Sequence, residues 1–344
     1  FIQHKAVTTS FIQRLPGANP NFRRYLPLMP IAIEQLDLSA YDLVLSSNHA
    51  VAKGVLTRGD QCHISYVHTP IRYAWDFQHQ YLRQAGLDRG VKGAITRTIL
   101  HYLRCWDGLS ANRVDYFAAN SRYIARRIWR TYRRPAQVIY PPVAVQRFRW
   151  DQPRENFYLA IGRFVPYKRM DLIVAAFAQL GLPLMIIGDG DQRDRLQAQA
   201  TSNIQFLGYQ SDAVVTDHLQ RCRALIFAAE EDFGITPVEA MAAGAPVIAY
   251  GRGGVTETVR DRQTGLLFPA QTVASLVAAV ETLERDDGLA FRGDRLRQQA
   301  EQFSEATFRV QMQSWIQTCL TEFQAEPHPA NCPNRLADQP EISQ

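Results

Sequence analysis

Ala224-Leu225-Ile226-Phe227-Ala228-Ala229-Glu230-Glu231-Asp232-Phe233-Gly234-Ile235-Thr236-Pro237-Val238-Glu239-Ala240-Met241 reads as a strand, an acidic loop and the start of a helix. Ala224–Phe227 is short and wholly apolar, the pattern of a strand buried on both faces of a parallel sheet. Thr236, Pro237 and Glu239 suit the N-cap, N1 and N3 positions of a capping box, which predicts a helix over 238–243. Outward from this unit the alternation repeats. Residues 157–161, 184–187, 204–206 and 246–250 are further apolar runs, with helical spacing over 171–180. Upstream, residues 41–47, 64–67, 116–119 and 137–140 read as strands, and 91–106 and 122–132 as helices. Tyr140-Pro141-Pro142-Val143 breaks the series, because neither proline can donate to a ladder or sit inside a helix. The expected fold is therefore α/β, two doubly wound Rossmann-like domains in tandem, facing across a cleft.

The chain has 344 residues, 46% of them hydrophobic and 21% charged, which suits two domains rather than one core. Its 38 Lys and Arg against 33 Asp and Glu leave a charge of +5, too mild to imply nucleic acid. Five cysteines, scattered and never paired as C-x-x-C, argue against a disulfide scaffold or a structural zinc. No apolar run reaches the roughly 18–20 residues of a membrane span, and no signal peptide opens the chain. A soluble cytoplasmic protein is expected.

In open parallel sheets, ligands sit outside the carboxyl ends of the strands. After the strand at 157–161 come Gly162, Arg163 and Lys168, a turn followed by two cations that can clamp a diphosphate or simply be solvated. After Phe227, the carboxylate of Glu231 can accept hydrogen bonds from sugar hydroxyls. Glu239 can cap its own helix, whose free N–H groups can also face an anion. Gly251-Arg252-Gly253-Gly254 permits close approach of a ligand or makes a plain tight turn. Gly188-Asp189-Gly190 lacks the third glycine of a dinucleotide fingerprint. His68, at the end of the strand over 64–67, either faces the cleft or is a packed side chain. Asn120-Ser121 caps the next helix or touches ligand.

Together these motifs resemble the retaining glycosyltransferases of family 4, of the GT-B fold, from about Thr9 to Phe323. The resemblance is strongest over 157–268, where Glu231 and Glu239 flank a run specific to that family. His68-Thr69-Pro70, with Arg72, Tyr73, Trp75 and Asp76, resembles a mannosyltransferase-like subgroup that builds bacterial surface polysaccharides. The resemblance implies transfer of a sugar, mannose from GDP-mannose, to a saccharide or lipid-linked acceptor. UDP-sugar transfer, sugar-nucleotide 2-epimerisation and non-catalytic binding are the alternatives.

It also implies the site roles. Arg163 and Lys168 neutralise the leaving diphosphate. Glu231 meets the donor sugar with N–H groups near Phe233 and Gly234, and Ile235 and Thr236 complete the donor site with Gly162. Glu239 holds the ribose, and His68 lies beside the donor sugar. The leaving phosphate takes the acceptor proton, and no metal or other cofactor is implied.

The family's first strand and Gly-rich loop are expected to be missing, since only Gly17 lies in the first forty residues and the chain opens on Phe1. The expected organisation is an acceptor-side domain over 1–143, a sugar-nucleotide domain over 144–303, a helix over 304–325 packing back on the first domain, and a disordered tail over 326–344. Twelve cations between Arg83 and Arg134 oppose only Asp88, Asp107 and Asp115. They are a solvated basic face or, with a lipid-linked acceptor in view, a contact with an anionic membrane surface.

Overall fold

The computed structural model describes residues 5–18, 22–285 and 291–325. The tail expected over 326–344 lies outside the described residues. The first sheet has four parallel strands in sequence order, β1 (Leu43–Asn48), β2 (Cys62–Val67), β3 (Tyr116–Ala119) and β4 (Gln137–Val138). Val67 pairs with Ala119, so His68 and Asn120 leave neighbouring strands at the same level. β4 stops at Val138, shorter than its apolar run; Ile139 still donates to the Ala119 carbonyl at 2.9 Å and packs with Tyr66 and Ala118, and Pro141 and Pro142 cannot extend the ladder.

The second sheet contains β5 (Tyr158–Ile161), β6 (Leu184–Ile187), β7 (Ile204–Gly208), β8 (Ala224–Phe227), β9 (Val247–Tyr250) and β10 (Gly265–Phe268), all parallel. Their order across the sheet is β7-β6-β5-β8-β9-β10. The order reverses between β5 and β8, which opens a crevice at the carboxyl ends of those two strands. Both faces are covered, as the apolar runs require. Leu159, Leu225, Phe227 and Val247 pack on one face, and Tyr158, Ala160, Ile226 and Ile248 on the other.

The chain crosses between the sheets twice, side by side. The Val143 N–H donates to the Phe303 carbonyl at 2.9 Å, and Val143 bridges Ser304. The helix Glu305–Ala325 then returns to the first sheet, with Cys319 buried against Cys62 and Ile64, and Met312 and Trp315 against Tyr66 and Ile139. Among the described residues no helix is long and apolar enough to cross a membrane.

Candidate active site in the interdomain cleft

The switch point puts the loop after β5 opposite the loop after β8. Gly162, Arg163 and Lys168 come from the first, Glu231 from the second. Lys168 Nζ and a Glu231 carboxylate oxygen form an ion pair with both side chains largely covered. The same ammonium lies 5.8 Å from the centre of the Phe227 ring. Arg163 stays open, its guanidinium donating to the Tyr167 hydroxyl at 3.3 Å. Gly188 and Gly190 serve packing here. A Cβ on Gly188 would lie 1.9 Å from the Gly162 carbonyl oxygen, and one on Gly190 2.8 Å from the Phe164 nitrogen. Only glycines let the loop after β6 press on the loop that carries Arg163.

The acidic loop divides its work. Glu231 faces Lys168, while its two neighbours reach across to the first domain. Asp232 receives Arg72 at 3.1 Å and Arg127 at 3.3 Å, and its carbonyl accepts from the Ser121 hydroxyl at 2.6 Å. The Tyr123 hydroxyl donates to Glu230 at 3.0 Å. Arg127 also pairs with Asp76 at 2.5 Å and donates to the Thr69 hydroxyl at 2.7 Å. Its side chain is 7% exposed, so it leaves the basic face to which its sequence neighbours assign it. Gly253 and Gly254 explain themselves the same way: their Cβ atoms would stand 2.4 Å from the Glu231 carbonyl oxygen and 2.3 Å from that of Asp232. The glycine pair exists for close approach of protein backbone, with Gly254 N–H donating to Glu231 at 2.8 Å.

The capping box does not form. The helix runs over Ile235–Ala242, and its N-cap is Gly234, at φ 86° and without a side-chain cap. Left-handed backbone at a glycine turns the chain into the helix with its cap two residues before the Thr236 of the sequence reading. Thr236 and Pro237 thereby fall inside the first turn, where a proline loses no intrahelical bond. Phe233 is buried, stacked obliquely on Tyr140 at 5.8 Å, and Ile235 is exposed at the cleft. Glu239, released from capping, pairs with Arg147 at 2.8 Å. Burial raises its pKa against the pull of Arg147.

His68 is held in the first domain. Its Nε2 lies 2.8 Å from the Ser47 hydroxyl, its ring meets Tyr66 edge-on, and its carbonyl accepts from Asn120 at 3.0 Å. Burial, aided by His49, lowers its pKa, so the imidazole is neutral at neutral pH. Its hydrogen bonds do not run to Lys168 or Glu231. Ser121 does cap its helix, accepting from the Ile124 N–H at 3.1 Å.

Glu257 has a role that its sequence context did not assign. Its carboxylate accepts the N–H groups of Arg122 and Tyr123 at 2.8 and 2.9 Å and the Tyr140 hydroxyl at 3.1 Å. A second-domain carboxylate thus closes the N-terminus of a first-domain helix. Arg72, Arg127, Tyr123 and Glu257 form the seam of the cleft. The sequence reading places Arg127 on the basic face and does not single out Tyr123 or Glu257, because which acid meets which base depends on the docking of two sheets.

Two parallel sheets with a switch-point crevice between them define the GT-B fold. Sucrose-phosphate synthase of Thermosynechococcus elongatus superposes with a TM-score of 0.68 over 90% of this chain and 81% of its own, at 19% identity. Anabaena HepE, solved in complex with UDP, does so with 0.62 over 90% and 84%, at 17% identity. Residues 144–306 match the family described as Glycosyl transferases group 1. In sequence the chain is similar to the O-antigen chain mannosyltransferase C of Escherichia coli, 28% identical with 49% of this chain and 48% of that protein covered. It is also similar to the alpha-1,3/1,6-mannosyltransferase ALG2 of Rhizomucor pusillus, 27% identical with 47% and 48% covered. The chain spans about half the length of the curated relatives it matches.

Proposed function

We propose that this protein is a retaining glycosyltransferase of family 4 that moves a hexose, mannose from GDP-mannose, to a saccharide or lipid-linked acceptor at the cytoplasmic side of a membrane. The Lys168–Glu231 pair across the switch point carries the reading. A diphosphate entering the crevice brings negative charge to Arg163 and Lys168, and it competes with Glu231 for the ammonium. Glu231, released, turns to the hydroxyls of the sugar that arrives on the same diphosphate. Binding the donor therefore assembles the sugar contact.

The two cations then stabilise charge as it develops on the leaving phosphate, the step where electrostatic stabilisation acts most. Backbone N–H groups at Phe233 and Gly234 lie beside that charge, and Ile235 and Thr236 open the helix that follows. Neutral His68 is suited to accept or donate one hydrogen bond to a sugar hydroxyl, and no protein base is assigned. Glu239 exchanges Arg147 for the ribose. The reading uses protein cations for the leaving group and assigns no metal or other cofactor.

A UDP-sugar donor is the second reading, favoured by the UDP complex of HepE. Incubation with labelled GDP-mannose or UDP-hexose and an acceptor extract separates the cases. Labelled acceptor with α-linked sugar supports the proposal. An epimerised nucleotide sugar, or donor that binds and returns unchanged, contradicts it.

A further inference from the structure

A cavity of about 140 Å³ opens in the cleft beside the crevice, and none of Arg163, Lys168 or Glu231 lines it. Phe77 and Tyr81 of the first domain and Tyr167 of the second give it aromatic walls. Arg72, Arg169, Glu230 and Gln271 supply its polar groups. Tyr167 and Glu230 directly precede Lys168 and Glu231, and the Lys168 ammonium lies 5.9 Å from the centre of the Tyr167 ring. Burial raises the pKa of the Tyr81 phenol, on which Arg72, Tyr167, Asp232 and Arg163 also act, so this ring stands among the charges of both domains. The cavity therefore borders the donor residues without sharing them.

Its lining selects a ligand. The volume admits one six-membered ring, since a cavity of roughly 150 Å³ takes benzene. Charge argues against a phosphate. Arg72 pairs with Asp232 and Arg169 with Asp171, each at 3.1 Å, and Glu230 adds a further carboxylate to the wall. A purely apolar ring would leave the polar wall unmet, and Arg72 Nε is already buried with no hydrogen-bond partner among the described residues. A saccharide ring meets both demands, with its C–H face on the aromatic walls and its hydroxyls toward the amide, carboxylate and guanidinium groups. We propose that this cavity is the acceptor subsite and takes one neutral hexose ring, the terminal sugar of a saccharide, against Tyr81. A hydroxyl oxygen of that ring bonds to the anomeric carbon of the donor sugar as the bond from that carbon to the diphosphate breaks. The hydroxyl proton passes to the leaving phosphate. Both domains build the walls, so the subsite is complete only while the seam of the cleft holds.

The role as acceptor rests on the transferase reading, whereas saccharide binding is read without a donor. Methyl α-mannoside, methyl α-glucoside and methyl α-galactoside are titrated into the whole chain by saturation-transfer NMR, and GDP and UDP by calorimetry. At least one glycoside should bind saturably. Tyr81→Ala should weaken it about tenfold and leave nucleotide affinity within about twofold of the parent. Tyr81→Phe keeps the ring and should keep most of the glycoside affinity. Circular dichroism verifies the fold of each variant. Parental glycoside affinity in Tyr81→Ala overturns the proposal, and so does tighter binding of the 1-phosphate of the same hexose. Nucleotide binding without binding of any glycoside overturns the subsite and leaves the transferase reading standing; glycoside binding without nucleotide binding does the reverse.

Discussion

Glu231 pairs with Lys168 in the structure, and a single substitution tests the second partner proposed for it. If it holds Lys168 only until a diphosphate arrives, Glu231→Gln removes a competitor for the ammonium. Free nucleoside diphosphate should then bind as tightly as before, or tighter by up to about tenfold, while sugar transfer falls. A loss of nucleoside diphosphate affinity in this variant, measured by calorimetry, would place Glu231 on the phosphates instead. The histidines give a second test at this scale. His63 and His68 both have lowered pKa values, chiefly through burial. Above the ordinary histidine value of about 6.5 they are neutral in both folded and unfolded chains and cost nothing. As pH falls below it, the unfolded chain takes up protons that the folded one resists, so stability drops. The melting temperature should fall between pH 7.5 and 5.5, and fall less in His63→Gln. An equal fall in that variant would remove His63 from the account.

Among the elements, the loops after β6 and β9 carry glycines that press on the backbone of the loops after β5 and β8. Gly254→Ala puts a Cβ 2.3 Å from the Asp232 carbonyl oxygen and 2.4 Å from the Phe233 Cα. Neither neighbour is a flexible tip, so overpacking should cost about 1–3 kcal/mol or more, and nucleotide affinity should fall with it. A melting temperature within a degree of the parent would mean that the loop yields freely. Gly253 and Gly254 were visible in the sequence as a possible ligand contact or a plain tight turn, and Gly188 and Gly190 only as an incomplete dinucleotide fingerprint; their partners lie on another strand's loop, and spacing along one chain does not report that.

The strands themselves were legible because burial on both sheet faces writes a continuous apolar run. β10 was not, since Gly265-Leu266-Leu267-Phe268 is a four-residue edge strand behind a glycine and has no periodicity to reveal it. The helix over Ile235–Ala242 was legible in its body and misplaced at its start. Its Thr-Pro-x-Glu run imitates a capping box, and the left-handed glycine before it overrides that signal. Lys168 and Glu231 were each readable as candidates at the carboxyl ends of their strands, whereas their pairing needed the strand order that sets β5 beside β8.

For the whole molecule, the seam between the sheets is polar and built from few contacts. Glu257 accepts two N–H groups and one hydroxyl across it, and Asp232 takes two arginines. Glu257→Ala should lose about 1.5–3 kcal/mol of coupling, the range for hydrogen bonds to a charged group. Small-angle scattering should then report a larger radius of gyration, and an unchanged radius would show that the other contacts across the seam, those of Asp232, Glu230 and Ser121 among them, suffice without Glu257. The central claim is that the crevice between β5 and β8 holds a nucleoside diphosphate on Arg163 and Lys168. Calorimetric titration of GDP and of UDP into the parent, Arg163→Ala and Lys168→Ala tests it most directly. The parent should bind at least one nucleotide saturably, and each variant should bind it about ten- to a hundredfold more weakly. Absence of binding by the parent, or parental affinity in both variants, would contradict it.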